Sequence, residues 1–131
     1  MDEKHLKIGR WSVGFMFCID EYDINRITDI MKETGASADI IDSAIRLMLS
    51  DKMNTGFTYT DANDLVAIVV VGPASSGAEF IDTLVHEIHH LAVAIASNLG
   101  INLDEETPAY ISGDLARDMA EYICNIGCRL V

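Results

Sequence analysis

The sequence predicts an α+β fold, a small antiparallel or mixed sheet of about three strands packed on one long helix and a C-terminal helix. Three observations lead there. Apolar residues recur with a period of 3.6 over several stretches, most extensively in residues 77–98. Two runs, residues 11–19 and 65–71, are rich in branched and aromatic residues and too short for buried helices. A polar break, Asp61-Ala62-Asn63-Asp64, joins the second run to an alternating segment before it, as in a hairpin. At 131 residues the chain is expected to form one domain, residues 1–131, able to bury a core without disulfides.

The elements follow in order. Residues 11–19 read as a strand that carries Gly14. Asp23 can cap a helix over residues 24–34, with Ile24, Ile27, Ile30 and Met31 on one face and Gly35 at its end. Ser37 can cap a second helix, whose stripe is Ile40, Ile41, Ala44, Ile45 and Met48. Residues 56–60 alternate Phe57 and Tyr59 against Thr58 and Thr60, and pair with residues 65–71 across the polar turn. The second of these strands is apolar throughout, as a central strand is, which leaves residues 56–61 as the better edge. Gly72-Pro73 stops it. Ser76 and Glu79 have the capping-box spacing and open a helix over residues 77–98 that closes at Gly100. A last helix begins near residues 105–108 and carries Leu115, Met119, Tyr122, Ile123 and Ile126 inward. The predicted order is β, α, α, β, β, α, α.

The formal charge of -12 argues against nucleic acid or an anionic membrane as a partner, since both need a basic face. It suits a cationic peptide, a metal ion or plain hydration of the surface. The longest apolar run is too short to span a bilayer, and the charged residues Asp2, Glu3 and Lys4 do not resemble a secretory leader. Cys18, Cys124 and Cys128 make an odd count, expected as buried free thiols in a reducing, cytoplasmic setting.

The chemistry lies in the long helix, in His86-Glu87-Ile88-His89-His90. Residues at i and i+4 share a helix face, so His86 and His90 can offer imidazole nitrogens to one tetrahedral metal. Glu87, beside the first of them, can take a proton from a water that the metal acidifies. Thr83, His86, Glu87 and His90 fall on one side of this helix, and Phe80, Leu84, Ile88, Leu91 and Ile95 on the apolar side. His89 lies off the ligand face and reads as a flanking residue or a substrate contact. The blander alternative is a hydrated polar face with Glu87 as one more surface charge. Two histidines need a third protein ligand. His5 is remote and near a terminus expected to fray, whereas Asp104, Glu105 and Glu106 follow the turn at Gly100. Those carboxylates would equally complement a helix N-terminus.

The run Thr83-Leu84-Val85-His86-Glu87-Ile88-His89-His90-Leu91, followed by Glu106-Thr107-Pro108-Ala109-Tyr110-Ile111-Ser112-Gly113, resembles zincin metallopeptidases of the gluzincin type. More narrowly, it is similar to short phage- and prophage-type proteins in which H-E-x-x-H is followed by E-x-x-A-Y. The resemblance covers residues 65–113 and implies a minimal zincin-like domain that binds zinc. By it His86, His90 and Glu106 are the metal ligands, with Glu105 the fallback, and Glu87 is the general base of a hydrolase acting on peptide or protein substrates. Tyr110, one turn beyond Glu106, is the candidate electrophilic group, with a structural tyrosine as the alternative. Arg117 is a weaker candidate, better read as a surface ion-pair partner, and Asp114 could accept a hydrogen bond from a ligand histidine. The chain departs from full gluzincins in lacking a downstream histidine and the further region that walls their cleft. The edge segment 56–61 is expected to take substrate as an added strand, and the acidic surface favours a basic one. Cys124 and Cys128, at i and i+4, read as packing rather than as a second metal site. The competing class is a non-catalytic metal-binding module on the same core, and a helical polar face without metal is the third.

Overall fold

The computed structural model describes residues 1–50, 55–100 and 106–129, with side chains as far as 126. Strands β1 (Asp2–Ile8), β2 (Trp11–Phe17), β3 (Gly56–Asp61) and β4 (Val66–Val71) form one mixed sheet in the order β1-β2-β4-β3. Helices α1 (Ile24–Glu33) and α2 (Ala38–Met48) cover one face. Helices α3 (Gly77–Asn98), α4 (Glu106–Asp118) and α5 (Ala120–Arg129) cover the other. The α+β class holds, and the expected hairpin is present: β3 pairs antiparallel with β4, Thr58 opposite Val69. As expected, β4 is internal and β3 is an edge. The β2–β4 pairing is parallel, which makes the sheet mixed.

Strand alternation sorts the side chains into two cores. Trp11, Val13, Phe15 and Phe17 of β2, with Ala67, Val69 and Val71 of β4, meet Phe80, Leu84, Ile88, Leu91 and Ile95 of α3. Leu115, Met119 and Ile126 complete that layer. Met16, Ile68 and Val70 point the other way, against Ile27, Ile30, Met31, Ile41, Ala44 and Met48. Phe57 and Tyr59 of β3 join this second core, so Gly56, Thr58 and Thr60 face α3.

The caps are those the sequence signals. Side-chain oxygens of Asp23, Ser37 and Ser76 accept from the backbone N–H of Arg26, Ile40 and Glu79. In the β3–β4 connection Asp61 Oδ1 accepts from the N–H groups of Asn63 and Asp64. Leu65, counted as strand in the sequence reading, instead sits in the left-handed region at φ 55° and leads into β4. Among the described residues no helix is long and apolar enough to cross a membrane.

Three expectations are corrected. The sheet has four strands rather than about three, because residues 2–8 pair with β2 from Asp2↔Phe17 to Ile8↔Trp11 instead of fraying. The two-residue connection Gly9-Arg10 carries φ 58° at Gly9, the left-handed first position that a II′ hairpin turn needs. Glu3 then ties β1 to both layers: Arg26 Nε donates to its carboxylate at 2.7 Å, and the Tyr122 hydroxyl donates to its carbonyl at 2.7 Å. The expected last helix is two, α4 and α5, divided at Met119. The i→i−4 bonds from Met119 to Leu115 and from Ile123 to Met119 persist across the division, so Leu115, Met119 and Ile126 all stay buried. Cys18 is a buried thiol as expected, but Cys124 is exposed, on the outer side of α5. Cys128 lies outside the described side chains.

Burial fixes two measurable consequences. Leu91 has no exposed surface, and Leu91→Ala should cost about 2–5 kcal/mol in a denaturant titration. The Arg26 guanidinium holds the Glu3 carboxyl below its ordinary value of 4.5, against a smaller opposing effect of burial, with His5 assisting. Because the folded value is depressed, this stabilisation is present above 4.5 and is lost as the pH falls through the folded value. In Arg26→Ala the Glu3 titration followed by NMR should move up towards 4.5, with a weaker acid dependence of stability.

Candidate active site

Residues 72–76 lead from β4 into α3, which packs on the sheet with its apolar side inward. Four residues on its flank face β3. The helix spacing puts His86 and His90 one turn apart, and their Nε2 atoms lie 3.1 Å from each other. The rings meet edge to face, with centroids 4.7 Å apart and an interplanar angle of 78°. Two neutral imidazoles at this separation need one donor and one acceptor, whereas two lone pairs converging on a cation need no such division. Ligand nitrogens about 2.0–2.1 Å from a tetrahedral zinc lie about 3.3 Å apart, so the observed separation fits that donor set closely. Both histidines are exposed.

Glu87 is the opposite. It is 5 % exposed, one of three buried polar or charged residues among those described. The Thr58 hydroxyl lies 2.9 Å from its Oε1 and 3.2 Å from its carbonyl oxygen, so one proton serves both with the carboxylate nearer. A hydrated surface charge would have neither the burial nor the partner. Gly56 is where β3 passes closest: a Cβ there would stand 2.5 Å from the Val70 carbonyl oxygen, 3.0 Å from Thr83 Cγ2 and 3.2 Å from Glu87 Cγ. The tightest of these is to the backbone of β4, so any side chain at 56 requires the strand to shift.

A cleft of about 390 Å³ opens between β3 and α3, lined by Gly56, Thr58 and Thr60 on one side and His86, Glu87 and His90 on the other. The structure therefore brings together three of the five residues singled out in the sequence. Glu106 opens α4, which packs along α3, and is exposed. Tyr110 is 70 % exposed. Neither lines this cleft or the smaller one beside it. Among the described residues no group of three or more His, Cys, Asp or Glu side chains is arranged to hold a metal. Asp104 and Glu105 lie outside the described residues. His89 is exposed, its ring centroid 6.4 Å from that of His90. His5 sits on β1, at the sheet edge opposite β3, with its Nε2 3.2 Å from Glu3. Asp114 and Arg117 face each other across 3.5 Å on the exposed side of α4.

Sequence reasoning missed Thr58 and Gly56. The alternation around Thr58 was visible, but which helix its face meets depends on the sheet order. Tyr22 was also missed. Its hydroxyl donates to the Thr55 carbonyl at 2.9 Å and pairs with the Thr55 hydroxyl, fastening the loop before α1 to the start of β3. Burial pushes the Tyr22 phenol above its ordinary value, with Thr55 opposing and the Cys18 and Glu87 charges adding to the rise.

Thr58→Val removes the one side-chain donor to Glu87 among the described residues while preserving shape, and should destabilise the fold by about 1–3 kcal/mol in chemical denaturation. Thr58→Ser should recover most of that loss. No family model, curated protein or solved structure matches the chain.

Proposed function

We propose that the chain is a zinc-dependent hydrolase, most specifically a metallopeptidase with a minimal zincin-like centre. The observation that carries the proposal is the contrast within one helical turn: two exposed imidazoles converging at 3.1 Å, and between them in sequence a buried carboxylate held by Thr58. His86 and His90 would hold the metal, and the resemblance adds Glu106 as the third ligand. Zinc bound there supplies Lewis acidity and an electrostatic sink for developing negative charge.

The chain's own residues do the rest. Thr58 occupies Oε1 of Glu87, and among the described residues Oε2 has no partner, which leaves it to take a proton from the attacking water. Burial on the inner side fixes the carboxylate's direction, so little reorganisation accompanies the proton transfer. Among the described residues no strand pairs with the outer edge of β3 beside the cleft, which can receive an extended peptide as a further strand. Tyr110 is the proposed electrophile, and its exposure leaves it accessible to a bound chain. The net charge of -12 favours basic peptide segments.

A second reading, a metal-binding interaction module without catalysis, is favoured by the exposure of both histidines and by the lack of a three-residue metal group among the described residues. Elemental analysis of protein purified without added metal should give about one zinc per chain. Zinc should be lost in the His86→Ala, His90→Ala double variant and weakened roughly 10- to 100-fold or more in Glu106→Ala. Glu87→Gln should retain zinc and lower peptide hydrolysis by a factor of about 10²–10⁴. Zinc bound equally by both forms, with no cleavage of a broad peptide library by either, would establish the module instead. A wild-type chain that takes up no zinc would sink both metal readings.

A further inference from the structure

We propose that the cleft next to His86, on the Asp82 side, is a subsite for an arginine or lysine side chain of a peptide lying along β3. This rests on reading the neighbouring site as a peptide-binding hydrolase centre. Asp82, His86, His90 and Ala94 recur every fourth residue of α3 and form one ridge beside β3. Two clefts border that ridge. One, of about 390 Å³, extends towards Thr60 and Ala94; the other, of about 320 Å³, extends towards Leu47, Thr55 and Asp82. Gly56, His86 and Glu87 line both, so they are the two arms of one groove that meet at His86 and Glu87, with His90 on the first arm.

The arms differ in chemistry. Beyond the shared residues, the first offers Phe57, Thr58, Thr60, His90 and Ala94 and no further carboxylate. The second ends in the Asp82 carboxylate, with Leu47 from the end of α2 as an apolar wall. Among the described residues Asp82 has no hydrogen bond or ion pair, and no lysine or arginine lines this arm. A long aliphatic stem can lie along Leu47 while its cationic head meets Asp82, the way basic side chains divide themselves between apolar and charged surroundings. A guanidinium can pair with the carboxylate through two N–H groups, which an ammonium cannot, so arginine should exceed lysine. A volume near 320 Å³ is ample for one such side chain.

The test uses the full chain carrying Glu87→Gln, so that bound peptide is not cleaved. The probes are alanine-based hexapeptides with a neutral fluorophore and a single arginine, norleucine or glutamate, and binding is read by anisotropy at low salt. The arginine peptide should bind about three- to tenfold more tightly than the norleucine peptide. Adding Asp82→Asn should abolish that preference, and Asp82→Lys should transfer it to the glutamate peptide. Glu121→Gln, which removes the same charge from an exposed position on α5, should leave it intact. Equal binding of arginine and norleucine peptides, a preference that survives Asp82→Asn, equal loss in Glu121→Gln, or no binding of any probe would each overturn the subsite. Zinc uptake measured in the wild-type chain separates the two readings. An Asp82-dependent preference without zinc uptake or cleavage keeps the subsite and rejects the hydrolase, and zinc-dependent cleavage without that preference does the reverse.

Discussion

The burial of Glu87 against β3 is the constraint on which the neighbourhood depends. A carboxylate 5 % exposed is unfavourable unless something donates to it, and the fold supplies the Thr58 hydroxyl at 2.9 Å. That donor is in reach because β3 passes close to α3, where a Cβ on Gly56 would stand only 3.0 Å from Thr83 Cγ2 and 3.2 Å from Glu87 Cγ. Once Glu87 is fixed on the inner flank, helical geometry leaves His86 and His90 no choice but the rim. They therefore stand at the mouth of the cleft with their Nε2 atoms together. The chemistry and the packing of this helix are the same fact seen from its two sides.

Much of this was legible in the sequence. The α3 helix could be bounded at both ends, since Ser76 supplies the cap and Gly100 adopts φ 69° after the last turn. The hairpin, the central place of β4 and the edge place of β3 followed from apolarity and alternation, because a strand buried on two faces cannot afford polar residues on either. What stayed hidden depends on partners far along the chain. β1 reads as a charged terminus because an edge strand admits lysine, histidine and glutamate. Its anchors, Arg26 and Tyr122, lie 23 and 119 residues away. Thr58 was hidden for the same reason: alternation tells which residues share a face, and only sheet order tells which helix that face meets. The division of the last helix at Met119 carries no proline or glycine to announce it, and the exposure of Cys124 follows from that helix's orientation rather than from residue type.

The two edges of the sheet have opposite characters. β1 presents Lys4, His5 and Lys7 outward and is pinned by Glu3 to α1 and α5. β3 has intermediate exposure along its whole length and a cleft at its side. Charges on the first edge discourage strand addition there, so an extended peptide that joins this sheet has one place to do so, and that place adjoins Glu87.

The parallel register between β2 and β4 has a consequence for how the molecule assembles. Each hairpin, β1–β2 and β3–β4, closes over a connection of a few residues, but Ser12 meets Val66 only after roughly fifty intervening residues are gathered in. The sheet is thus two quickly made halves joined along a slow seam. Gly56, Thr58, His86, Glu87 and His90 all belong to the second half, within one unbroken stretch of chain. Among the described residues the site's contacts close within that stretch, Thr58 reaching Glu87 across 29 residues, and none of them crosses the seam.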